Sequence, residues 1–183
     1  MKILETELAG VLIIEPRVFS DSRGYFFESF QAERYKENGI TKEFVQDNVS
    51  HSTKGVLRGL HYQLEHPQGK LVFVLTGAVL DVIVDIRRGS PTFGKSVSIE
   101  LNETNRRQVY VPPGYAHGFC VISETVDFLY KCTDYYSPAS ERGIAWNDPD
   151  LGITWPVSDP ILSEKDTRYP RLKDVLEDQL PRI

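Results

Sequence analysis

The sequence predicts a mainly β protein, a double-sheet jelly roll or small barrel of eight or nine short strands, with short flanking helices and a C-terminal helix. Three observations predict it. Apolar runs are short and are separated by turn clusters rich in Gly, Pro, Asn and Asp. No apolar run approaches the ~20 residues of a membrane span. Only two segments, near residues 30–38 and 171–180, carry helical signals.

The elements follow in order. VLIIEP (11–16) reads as a strand ended by proline, and GYFFESF (24–30) as a second. A short helix follows from Phe30 to Asn38, with Ser29 as its expected cap and Gly39 at its end. FVQDNVSHS (44–52) and LRGLHYQ (57–63) are strands separated by TKG. KLVFVLT (70–76), a turn at Gly77 and AVLDVIVDI (78–86) read as a hairpin. GKSVSIEL (94–101), QVYVP (108–112), GFCVIS (118–123) and VDFLYKCTDYYS (126–137) complete the set. Beyond Ser137 the chain becomes an irregular arm rich in Pro, Asp and Trp. RLKDVLEDQL (171–180) then places Leu172, Val175, Leu176 and Leu180 at helical spacing. No repeat or linker divides the chain, so residues 1–183 are expected to form one domain.

Composition excludes several classes. Hydrophobic residues make up 40% and charged residues 26%, which argues against disorder. The formal charge is −5 and no basic run occurs, so nucleic acid is not an expected partner. A small anion remains compatible, because a few arginines in a pocket override the global sign. Cys120 and Cys132 are too few for a disulfide framework and are expected to be reduced. The acids of MKILETELAG do not suit a signal peptide. The expected location is the cytoplasm, with no membrane association.

The chemistry concentrates in two stretches. VPPGYAHGF (111–119) is a P-x-G-x-x-H turn, with Pro112, Gly114 and His117 in place. This turn is the second motif of the cupins, where it brings a histidine to the start of a strand. Their first motif is H-x-H followed by a glutamate. In LRGLHYQLEHPQGK, His61 is present, but Gln63 holds the second histidine position and Lys70 follows. A metal needs at least three donors with free lone pairs, and a lysine ammonium offers only N–H groups. No metal is therefore expected. His51 and His66 lie near turns and read as solvated.

A histidine and a lysine on neighbouring strands suit proton abstraction α to a ketone. The imidazole accepts the proton near pH 7 and the ammonium stabilises the enolate oxygen. A core histidine with a surface lysine would look the same in sequence. Alternation puts Phe128, Tyr130 and Cys132 on one strand face. If 118–123 and 126–137 pair as a hairpin, Tyr130 faces the interior beside His117. Arg58 precedes His61 by three residues, so alternation would part them, but Gly59 permits a bulge. Arg23, with Phe26 and Glu28 nearby, suits a phosphate attached to a stackable base. A solvated arginine in a turn is the plainer account of that segment.

These stretches together resemble the dTDP-4-dehydrorhamnose 3,5-epimerase family of cupin-fold enzymes. The likeness runs through SDSRGYFFES, FVQDN, VLRGLHYQ, QGKL, VDIRRGSPTFG, VPPGYAHGF, FLYK, YYSPASE, WNDPDLGI and LSEKD, in order. It implies a cupin-type jelly-roll barrel that epimerises C3 and C5 of a dTDP-4-keto-6-deoxyhexose, with no cofactor. It implies His61 as base, Asp166 as its carboxylate partner, Lys70 at the enolate oxygen and Tyr130 as acid on the opposite face. Arg58, His117 and Lys165 would line the sugar and pyrophosphate. Gln46, Asn48 and Glu28 would hold the nucleotide. Tyr136 would stack on thymine with Glu141 nearby. Arg23 would reach in from the second subunit of a homodimer. The competing readings are a single-centre epimerase of a related dTDP-4-keto sugar, a non-catalytic sugar-nucleotide-binding cupin, and a metal-dependent cupin.

Overall fold

A computed structural model describes all residues, 1–183. Thirteen strands form: β1 (Lys2–Glu5), β2 (Leu12–Glu15), β3 (Val18–Asp21), β4 (Gly24–Phe27), β5 (Gln46–Thr53), β6 (Leu57–Gln63), β7 (Lys70–Thr76), β8 (Ala78–Asp85), β9 (Ser96–Asn102), β10 (Gln108–Val111), β11 (Tyr115–Val121), β12 (Thr125–Cys132) and β13 (Glu141–Gly143). Six strands make one sheet in the order β1-β2-β10-β7-β12-β5, and five make a second in the order β13-β6-β11-β8-β9. The pair β3-β4 stands apart as a hairpin. Every pairing between these strands is antiparallel, and two isolated bridges, Val56 with Ile161 and Arg88 with Arg182, are parallel. No helix is long and apolar enough to cross a membrane.

The main core lies between the two sheets. Val72, Val74, Val109 and Phe128 come from the six-stranded sheet; Val79, Ile83, Leu101 and Phe119 come from the other. Phe119 and Phe128 stack across the gap with centroids 4.3 Å apart. Inward-facing apolar residues from both layers interdigitate here, which is how a two-sheet jelly roll buries its faces.

Two readings of connectivity and one of strand extent are corrected. The segments 70–76 and 78–86 do not pair with each other, because β7 and β8 belong to different sheets. The same holds for β11 and β12, so the hairpin expected around residues 123–126 does not form. The short turns after β7 and after β11 carry the chain over a corner to the other sheet. Gly77 makes this possible: its φ is +82°, and a Cβ there would lie 2.1 Å from the Thr125 carbonyl oxygen. The GYFFESF strand is shorter than expected and pairs with a strand, β3, that the sequence reading missed.

The helices also differ. The first, α1, spans Ala32–Glu37, and Gln31 caps it by accepting from the Arg34 N–H. Ser29 is not the cap; its carbonyl accepts from Tyr35 Oη and Gln108 Nε2. Gly39 does close the helix, at φ +92°. The expected helix over 171–180 is replaced by two 3₁₀ turns, Leu172–Asp174 and Glu177–Gln179. The apolar periodicity there reports burial of Leu172 and Leu180 against the sheet and not a continuous helix.

The arm from Ser137 onward is ordered by polar ties. Asp148 caps one 3₁₀ turn and accepts from the Leu172 N–H at 2.8 Å. Ile161 bonds to the main chain of Gly55 and Leu57 beside β6. That tie brings residues 161–166 back over the mouth of the second sheet. Cys120 and Cys132 are buried and unpaired, as expected.

Candidate active site

A cavity of about 550 Å³ opens between the sheets and the returning arm. All the expected catalytic residues line it: His61, Lys70, Tyr130 and Asp166. So do Gln46, Asn48, Arg58, His117, Tyr136, Glu141 and Lys165. Arg23, Phe26 and Glu28 do not. They lie on or beside the β3-β4 hairpin, where Arg23 pairs with Asp21 and Glu28 with Arg34.

Two glycines place the central pair of strands. Gly59 has φ +144°, and a Cβ on it would meet Gly118 Cα at 2.6 Å. Main chains of β6 and β11 therefore touch where their side chains are absent. The register slips between His117 and Phe119, opposite Arg58. This is the bulge expected at Gly59, and it lets Arg58 and His61 share the cavity. His61 and His117 are direct cross-strand partners.

Each histidine holds a buried carboxylate. His61 Nε2 lies 2.5 Å from Asp166 Oδ1, with the Asp166 side chain only 2% exposed. Burial pushes the Asp166 carboxyl up, but the His61 hydrogen bond and charge, Ser163 and Lys165 more than offset it and hold it below the usual carboxylate range. His117 Nε2 lies 2.8 Å from Asp81 Oδ2, and both side chains are buried. Tyr169 sets its ring edge-on to His61, centroids 5.7 Å apart.

The facing sheet supplies two groups. Lys70, on β7, has no hydrogen-bond or salt-bridge partner, and burial holds its ammonium below the ordinary lysine value. Tyr130, on β12, is raised above the ordinary phenol value, first by burial and then by the neighbouring Cys132. The phenol is thus kept protonated in a position to donate. Tyr130 reaches the cavity with His117 although β11 and β12 do not pair, because the two strands face each other from opposite sheets. Arg58 spends its Nε on Ser52 Oγ at 3.1 Å and has no acidic partner.

At the outer end Tyr136 donates to Glu141 at 3.0 Å, and Lys165 pairs with the other Glu141 oxygen at 2.6 Å. Burial raises Glu141, but these two partners prevail and keep it below its usual value. No group of three His, Cys, Asp or Glu side chains is placed to hold a metal ion. His51 and His66 are exposed beside Asp127 and Asp134.

Sequence reasoning missed Asp81 and Tyr169. Asp81 left a signal: a lone acid inside the apolar run AVLDVIV must find a partner if the strand is buried. Tyr169 left none, since its place depends on the path of the arm.

A jelly roll that sets a histidine of one sheet, held by a carboxylate of the returning arm, against a phenol and a lysine of the other sheet has the layout of an isomerase that works by proton transfer. The family described as dTDP-4-dehydrorhamnose 3,5-epimerase matches residues 5–174. The chain belongs to that family. A dTDP-4-dehydrorhamnose 3,5-epimerase of Shigella flexneri is 53% identical over 176 residues, covering 95% of this chain and 97% of the relative. Among solved structures, a dTDP-6-deoxy-D-glucose-3,5-epimerase from Legionella pneumophila in complex with dTDP-4-keto-L-rhamnose is 54% identical, with TM-score 0.97 and coverage of 100% and 98%. A 3'-monoepimerase from Streptomyces bikiniensis in complex with dTDP-quinovose is 34% identical, with TM-score 0.91 and coverage of 97% and 91%.

Proposed function

We propose that the chain converts dTDP-4-keto-6-deoxy-D-glucose to dTDP-4-keto-L-rhamnose by inverting C3 and C5. The observation that carries this is the opposition across one cavity of His61, with Asp166 behind it, and Tyr130, the two strands belonging to different sheets. Both hydrogens are α to the C4 ketone, so the same groups serve both centres. His61 removes the proton from one face, and the electron pair moves onto the ketone oxygen beside the Lys70 ammonium. Tyr130 then donates its phenolic proton to the carbon from the other face, which inverts it. Asp166 holds the imidazole in one orientation and stabilises its protonated form. The proton is returned from His61 to solvent, and Tyr130 is reprotonated, before the second centre reacts. Arg58, His117 and Lys165 receive the sugar and pyrophosphate, and Gln46, Asn48, Tyr136 and Glu141 the nucleotide.

Arg23, Phe26 and Glu28 fit this reading if the site is completed by a second copy of the chain. The hairpin that carries them leaves Phe19, Tyr25 and Phe26 at least half exposed, with Arg17 and Arg106 stacked over Phe19 and Tyr25. Such a surface suits a homodimer interface. The free buried cysteines suit the cytoplasm. Residues 1–183 would act as one epimerase domain.

The second reading is inversion at one centre only, favoured by the likeness to the 3'-monoepimerase. Turnover of dTDP-4-keto-6-deoxy-D-glucose in deuterium oxide separates the two. Deuterium is expected at both C3 and C5, and at neither in His61→Ala. Label at one carbon would establish the single-centre reaction. No label with ligand binding retained would leave a sugar-nucleotide-binding protein.

A further inference from the structure

We infer that Gln63 is a positioning residue for nucleotide binding: it holds the main chain that carries Tyr136. The inference rests on the reading of Tyr136 as the nucleotide contact. Gln63 stands where the first cupin motif has its second histidine, and it lines the cavity beside His61. Yet its amide is wholly engaged elsewhere. Nε2 donates to the carbonyls of His66 at 2.7 Å and Tyr135 at 3.2 Å. Oε1 accepts from the Ser137 N–H at 2.9 Å. An amide group has two N–H donors, and both are used. No donor remains for a substrate.

The loop it grips has little else to hold it. Tyr135 and Tyr136 are 65% and 51% exposed, so packing contributes little there. Its successive peptides are instead taken up by glutamines: Gln68 on the Asp134 carbonyl, Gln63 on Tyr135, Gln46 on the Tyr136 N–H, and Gln63 again on Ser137. Gln63 is the most buried of the three, at 7% exposure, and grips the loop on both sides of Tyr136. Its strand position is opposite Glu141, which takes the Tyr136 hydroxyl. Main chain and side chain of Tyr136 are thus fixed from one point on the β6-β13 ladder.

The chemistry at position 63 is selective. A histidine has two ring nitrogens and cannot make three bonds in this geometry. A glutamate would set an anionic oxygen against two carbonyls. Only an amide of this length presents two donors to one side and an acceptor to the other.

The test compares Gln63→Glu, Gln63→Met, Tyr136→Ala and Gln63→Met/Tyr136→Ala as full-length proteins. Affinity for dTDP alone is measured by calorimetry, and kcat and KM are measured on the sugar nucleotide. Both single Gln63 variants are expected to bind dTDP about tenfold more weakly, with KM raised far more than kcat is lowered. The double variant is expected to bind no more weakly than Tyr136→Ala, because both changes remove one contact. Should the glutamate variant not fold, the methionine variant, which adds no charge, carries the same test. Unchanged dTDP affinity in the Gln63 variants, with Tyr136→Ala weakened, overturns the inference and spares the reading of Tyr136. Unchanged affinity in Tyr136→Ala overturns that reading and the inference with it. Loss of kcat with dTDP affinity intact also overturns the inference, by moving Gln63 to the chemistry.

Discussion

Lys70 carries an ammonium into the cavity and meets no counter-charge within bonding distance. Desolvation favours its neutral form, so folding the charged form is costly. That cost is full below the lowered pKa and vanishes above lysine's ordinary value. Lys70→Met should therefore raise stability, by about 1 kcal/mol or about 2–4 °C in Tm. On the proposed mechanism the same change removes the donor at the enolate oxygen, and kcat should fall about 10²-fold or more. Thermal melts and turnover on one preparation check both signs. Asp166 behaves oppositely. Its folded carboxyl sits below the value it has in the unfolded chain. The resulting stability is complete above about pH 4 and is lost as pH falls to the folded value. Wild type should lose stability on acidification more steeply than Asp166→Asn. At neutral pH the variant should turn over ~10²–10⁴-fold more slowly. Acid unfolding curves and rates measure the two effects separately.

At the scale of elements, the crossing of β6 and β11 decides where the bases lie. A Cβ at Gly118 would meet the Arg58 carbonyl oxygen at 2.6 Å and Gly59 Cα at 2.9 Å. Both are main-chain atoms and cannot swing away. Gly118→Ala should cost about 1–3 kcal/mol through overpacking. Because the displaced strand carries Arg58 and His61, kcat should fall even at temperatures where the variant is fully folded. Chemical denaturation with parallel assays tests this. The sequence announced these two strands and their bulge clearly, through His61, Gly59 and the P-x-G-x-x-H turn. It was misleading about connectivity at Gly77 and near Thr125. A short turn between two apolar runs looks the same whether the chain folds back or crosses a corner. The periodicity over 171–180 misled for a related reason. Leu172 and Leu180 are buried, but of the residues between them only Val175 packs on that cluster, Leu176 is exposed, and the backbone forms two separate turns.

At the scale of the molecule, His61, Lys70, His117, Tyr130 and Arg58 were legible from motif and strand pattern, whereas Asp166, Lys165, Gln46, Asn48, Tyr136 and Glu141 were legible only through the resemblance. Asp81 and the role of Gln63 were not, since each depends on a partner far along the chain. The β3-β4 hairpin poses a question between chains. If Arg23 serves the site of a second copy, then Arg23→Ala and His61→Ala chains should complement each other. Each mixed dimer would hold one site with both defects and one with neither. Unfolding and refolding an equimolar mixture should then restore about a quarter of wild-type activity. A mixture no more active than its components would place Arg23 with its own chain's site.

The tie between Ile161 and the main chain of Gly55 and Leu57 has a kinetic meaning. His61 and Asp166 are 105 residues apart in sequence, and between Ser137 and Ile161 only the short strand β13 and one 3₁₀ turn are regular. Contacts so distant in sequence repay their loop-closure entropy only once made, so this pair is expected to form after the sheets that receive it. A nascent or partly refolded chain can therefore have its β core without its proton-accepting pair. On the proposed mechanism, competence would then rest on the last contact made, and activity should return later than the β-sheet signal when the chain is refolded.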